Sequence, residues 1–60
     1  MLDMDKVEIK IGDYLGFKNG IEQSGRCTGL SRGLVEIAVW DSMTGESVPT
    51  LVPPNRCWHE

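Results

Sequence analysis

Apolar and polar positions alternate along most of this chain. Val7, Ile9 and Ile11 are interleaved with Lys6, Glu8 and Lys10, which is the period of a half-buried strand. A helix would bring apolar residues back every three to four positions, and no segment does so. Gly12-Asp13 turns the chain. Leu15 and Phe17 then resume the inward set, while Tyr14, Gly16 and Lys18 face out or sideways. Lys18 to Ser24 is a polar loop around Asn19-Gly20, with Ile21 as its apolar member closing the end of the core.

A second strand runs through Arg26, Cys27 and Thr28, and Gly29 marks a bulge that lets Cys27 and Leu30 both point inward. The strongest strand is Leu34 to Trp40. Val35, Ile37 and Val39 share one face, and Glu36, Ala38 and Trp40 share the other. Asp41 to Gly45 forms a hairpin loop, and Glu46 to Val52 a weaker strand. Pro49 places that strand at an edge or a bulge, because proline has no N–H for a ladder. Pro53-Pro54-Asn55-Arg56 predicts a 3₁₀-like turn, and Cys57-Trp58 a last short strand or cap. The expected core is Ile9, Ile11, Leu15, Phe17, Cys27, Val35, Ile37 and Val39. Met1 to Asp5 is expected to fray.

Several short strands in 60 residues, joined by turns that use many of the seven glycines, leave few architectures besides an all-β, five-stranded small barrel in a single domain. So small a domain buries only about 60% of the surface its unfolded chain exposes, so covering more apolar surface by dimerisation or by a partner would stabilise it.

Nine acidic against six basic residues give a net charge of −3, the wrong sign for a protein that works mainly through phosphate contacts. No apolar run approaches the roughly 20 residues of a bilayer span, and Met-Leu-Asp-Met-Asp-Lys lacks the regions of a signal peptide, so a cytoplasmic location is expected. In that compartment Cys27 and Cys57 stay reduced. With His59 they still fall short of the four ligands of a structural zinc site, so no metal and no cofactor is expected.

The pattern resembles the SH3-like small barrels, including KOW and Tudor-like domains. The resemblance rests on Gly12-Asp13, Leu15 and Phe17, Gly25-Arg26-Cys27, the Val35-Ile37-Val39 strand ending in Asp41, and the Pro-rich turn. More narrowly, Phe17-Lys18, Glu22-Gln23, Gly25-Arg26 and Arg56-Cys57-Trp58 look like a group of short bacteriophage and prophage proteins, which brings no activity to carry over. KOW membership would imply RNA binding. The acidic balance, and Glu22-Gln23 where nucleic-acid binders tend to place basic residues, argue against it.

Strict alternation exposes Trp40, as an interface anchor or as a cover for the barrel's open end; Tyr14 has the same two readings. Trp58 is expected to close the core. Arg26 and Arg56, with Lys18 and Lys10, could gather beside these aromatics into a groove for single-stranded nucleic acid, or stand as scattered solvated charges. The acids are spread out, and loop-end residues such as Asp13 and Asp41 make turns. His59 is expected to be mobile, which leaves neither thiol a positioned base, so no enzymatic activity is expected. The leading expectation is a protein-binding module, plausible as a phage product acting on a host protein, with Trp40, Tyr14, Arg26 and Arg56 at its site. A KOW-like module for RNA or single-stranded DNA is the alternative, and a structural subunit of a larger assembly the third.

Overall fold

A computed structural model describes all 60 residues. Five strands are present: β1 Tyr14–Asn19, β2 Ile21–Ser31, β3 Leu34–Asp41, β4 Glu46–Val52 and β5 Cys57–His59. All pairings are antiparallel, in the order β4-β3-β2-β1-β5. A single 3₁₀ turn, Pro54–Arg56, joins β4 to β5 where the proline run forbids a ladder. β4 and β5 form the two edges and do not pair with each other, so the ladder is open rather than closed into the expected barrel. Pro49 lies in the edge strand β4, as its missing N–H requires. No helix is long and apolar enough to cross a membrane.

Turn chemistry sets the register. Arg32 (φ 54°) and Gly33 (φ 74°) form a two-residue connection between Ser31 and Leu34, the left-handed pair that a tight hairpin needs. At the β3–β4 loop the Asp41 carboxylate accepts the Met43 N–H at 2.9 Å, and the Gly45 N–H returns to the Asp41 carbonyl at 2.8 Å. The expected bulge is present: the β2–β3 register shifts between Cys27 and Gly29, and Leu30 packs against the core.

The core is one cluster: Ile9, Leu15, Phe17, Cys27, Val35, Ile37, Val52 and Cys57. Every strand contributes to it, and no second layer covers the sheet. The inner-face residues can bury one another only because the sheet bends around them. β2 carries that bend. Its first part pairs with β1 through Arg26, and its later part, from Gly25 on, pairs with β3.

Four expectations are corrected. Val7–Ile11 is not a strand of the sheet. It belongs to an N-terminal arm, residues 1–13, whose one strand-like feature is a Leu2–Glu8 bridge. Of its alternating set only Ile9 enters the core, at 2% exposure, while Ile11 stands 67% exposed. Lys6 takes a left-handed backbone (φ 64°), which breaks the extended run that alternation assumes.

Met1 to Asp5 does not fray. The Asp3 N–H donates to the Val7 carbonyl at 2.9 Å, the Met4 N–H to the Cys57 carbonyl at 2.8 Å, and Met1 packs on the core. Lys18 to Ser24 is no loop: β1 and β2 pair as far as Asn19 and Ile21, turning at Gly20 (φ 77°). Ile21 therefore lies at the hairpin tip, 68% exposed, and closes nothing. Val39, the last of the expected core, is only partly buried, against the cluster's edge.

Candidate functional site

The outer face of the sheet follows from the pairing, because residues opposite one another on neighbouring strands project to the same side. Leu15 and Phe17 point inward, so Tyr14, Gly16 and Lys18 point out. Tyr14 faces Arg26 across the ladder, and Arg26 in turn faces Ala38. Trp40, two residues beyond Ala38, is on the same face and 64% exposed. Of the expected site residues, the structure brings Tyr14 and Arg26 together as a cross-strand pair, with Trp40 a diagonal step away. Tyr14 is 51% exposed, and its hydroxyl accepts a long hydrogen bond, 3.5 Å, from Ser24.

Trp40 also borders a hollow at one end of the bent sheet, lined by the inward-phase residues Gln23, Val39, Val48 and Thr50. Its exposure shows that it does not seal this opening. Arg56 lies elsewhere: it stands with Lys18 between two other hollows, one of which holds Trp58 and Met4. No Lys or Arg side chain ion-pairs with a carboxylate, so the charge of Arg26 is not neutralised within the chain.

Trp58 does not close the core. It pairs with Gly16 and so lies on the outer face, half-buried. A Cβ on Gly16 would come within 2.6 Å of Trp58 Cε2 and 2.7 Å of Glu60 Oε1, so the glycine makes room for the indole to approach β1. The inward residue of β5 is Cys57.

The tightest polar cluster is one that sequence reasoning missed. His59, expected to be mobile, is held in β5 opposite Leu15. Its Nδ1 donates to Asp3 Oδ2 at 2.5 Å and its Nε2 to Asp13 Oδ2 at 2.8 Å. The two carboxylates are themselves anchored. Asp3 Oδ1 accepts the Asp5 and Val7 N–H groups, both at 2.9 Å, and Asp13 Oδ2 accepts the Lys10 N–H at 2.9 Å. The Asp3 side chain is 1% exposed, against 30% for Asp13 and 27% for His59.

A neutral imidazole can donate from one nitrogen only, so this geometry is that of the imidazolium. Hydrogen bonding to Asp3, then to Asp13, raises the His59 pKa above its ordinary 6.5. Burial is the largest single influence on Asp3 and would raise it. The Val7 N–H, His59 and the Asp5 N–H together outweigh burial and hold its carboxyl below the ordinary 3.8. His59, then the Lys10 N–H, lower Asp13 likewise. Asp13 both shapes the turn, as expected, and binds His59. Asp13 and Asp3 lie 46 and 56 positions from His59 along the chain, so no local motif marks the three.

Both thiols are free and buried. Burial raises the Cys27 pKa, and pushes that of Cys57 up to about 11, with Asp3 adding to the effect. Thiols shifted this way are poor nucleophiles at neutral pH. Cys27 Sγ donates instead to the Gly29 carbonyl and Cys57 Sγ to that of Pro53. No group of three or more His, Cys, Asp or Glu side chains is disposed to hold a metal ion. Compared with protein-family models, with curated proteins and with solved structures, the chain matches none.

Proposed function

We propose that this chain is a non-enzymatic protein-binding module whose docking surface is the outer sheet face around Trp40, with Tyr14 and Arg26. The observation that carries this reading is the Trp40 indole. It is 64% exposed on a paired strand, not on a loop, so its direction is set by the β3 ladder before any partner arrives. Presenting a large aromatic this way costs little ordering on association, and tryptophan and arginine dominate binding energy in protein interfaces. Arg26, free of any internal acid, favours a partner that sets a carboxylate beside its apolar contact.

The same reading takes the bent sheet as an SH3-like barrel left open between β4 and β5. Supporting it are the strand order, the 3₁₀ turn between β4 and β5, and one core shared by all five strands. A partner among the proteins of a host cell would fit the sequence's resemblance to short phage proteins. Arg56 is left out of the docking face because it lies with Lys18 in other hollows.

The test compares capture of partners from a host lysate by wild-type and Trp40→Ala protein, with circular dichroism to show that both are folded. Truncating a central anchor typically costs about 2 kcal/mol or more, so affinity for the captured partner should fall at least roughly 30-fold. Undiminished binding by folded Trp40→Ala would remove this face as the site. Tight binding to single-stranded RNA or DNA that weakens steeply with salt would instead support the KOW-like alternative. If neither protein nor nucleic acid binds, the chain is better read as a structural subunit.

A further inference from the structure

We infer that His59 is a proton-operated latch with one fixed jaw and one moving jaw: the doubly protonated ring clamps Asp3 and Asp13 together, and loss of the Nε2 proton to solvent frees Asp13 while Asp3 keeps its hold on Nδ1. The geometry distinguishes the two jaws. Both contacts are short, 2.5 Å to Asp3 and 2.8 Å to Asp13, and both need a donor on the ring. When the ring becomes neutral, one nitrogen presents a lone pair to a carboxylate oxygen, and that contact turns repulsive.

Burial decides which contact yields. Asp3, 1% exposed, has no water to turn to, and without the ring its Oδ2 would be buried with no donor. Asp13, 30% exposed, exchanges the ring for water at small cost. The Nδ1 proton therefore stays and the Nε2 proton leaves.

The surroundings contain no other group that would reverse this order. From the arm, Asp3 is the acid facing the ring; from the turn, Asp13, with Lys10 acting on Asp13 from beyond. The buried thiols complete the set: Cys57 of β5 senses Asp3, and Cys27 of β2 senses Asp13 and, more weakly, Glu36. Glu60 lies across Gly16 beside Trp58.

The moving jaw is also the hinge of the arm. Asp13 Oδ2 accepts the Lys10 N–H, the Asp13 N–H donates to the Lys10 carbonyl, and Gly12 (φ 101°) and Asp13 both bond to the backbone of Cys27. Release of Asp13 loosens residues 10–13, while the Asp3 loop, bonded through Asp5 and Val7, stays docked. The device is thus a local loosening of the turn that leads into β1, rather than detachment of the arm.

Nuclear magnetic resonance on the full chain tests this, following the His59 ring nitrogens and the amide signals of Val7 and Lys10 across the imidazole titration. The expected result is a midpoint above the ordinary 6.5, with Nε2 losing its proton. The Lys10 amide should move with that midpoint, and Val7 should stay unchanged. Asp13→Asn, which keeps shape and removes charge, should lower the midpoint and abolish the Lys10 response while Val7 remains protected. His59→Gln should abolish the Lys10 response and leave no midpoint near the imidazole range; should that variant fail to fold, Asp13→Asn alone decides. A midpoint at or below the ordinary value, deprotonation at Nδ1, or a Val7 amide that responds while Lys10 does not would each overturn the latch.

Discussion

A side chain on Gly25, at the point where β2 passes from one partner strand to the other, would overlap the Ala38 carbonyl and press on Ile37 Cγ2 at 2.9 Å. Gly29, four residues on and beside the bulge, has only the Glu36 side chain near it, at 3.6 Å or more. Neither residue has a left-handed backbone, so space alone separates them. Gly25→Ala is expected to cost at least about 1–3 kcal/mol, the range for overpacking a tight site. Gly29→Ala is expected to be neutral or mildly stabilising, since it only narrows the unfolded ensemble. Urea denaturation of the two variants checks this, and equal midpoints would contradict it. Gly16 belongs with Gly25, because it too makes room for a close neighbour, in its case the Trp58 indole.

At the level of elements, the N-terminal arm is the one that alternation misassigned. Its apolar residues are equally spaced and equally branched, yet Ile9 is buried and Ile11 is not, because Ile11 stands at the corner of the turn that the Asp13 N–H closes onto the Lys10 carbonyl. Truncation should separate them sharply. Ile9→Ala is expected to destabilise by about 2–5 kcal/mol, the cost of a cavity in a core position. Ile11→Ala should stay within about 0.5 kcal/mol. Thermal melts of the two single variants decide the matter, and comparable losses would mean that the arm docks in a different register. β3 shows the opposite behaviour: Val35 and Ile37 inside and Trp40 outside follow the alternation, because an eight-residue strand paired on both sides has no freedom to depart from it.

For the whole molecule, the contacts between Asp3, His59 and Asp13 join the arm, the entry to β1 and the last strand, so their protonation bears on global stability. His59 is raised above 6.5 in the folded state, so its contribution is full below that pH and is lost as pH rises through the folded value. Asp3 and Asp13 are lowered, so theirs are present above the ordinary 3.8 and are lost as pH falls through the folded values. The melting temperature should therefore be highest between 3.8 and 6.5 and decline on both sides. His59→Gln should flatten the alkaline decline. A wild-type melting temperature that climbs steadily from about pH 5 to pH 8 would contradict the assignment.

The sequence by itself determined the strand content, four of the five strands in outline, the bulge at Gly29, the 3₁₀ turn, the edge position of Pro49 and the outward phase of Trp40 and Tyr14. Each of these depends on residues within a few positions of one another, through side-chain alternation, a missing proline N–H or a glycine turn. Only the tertiary structure decided what depends on distant residues meeting. It set the open edges at β4 and β5, the burial of Ile9 but not Ile11, the Trp58 indole lying across Gly16, and the separation of Arg56 from Trp40. It also brought Asp3 and Asp13 onto the two nitrogens of His59. No pattern along the chain encodes that meeting, because it depends on how the sheet bends and where the arm crosses its edge.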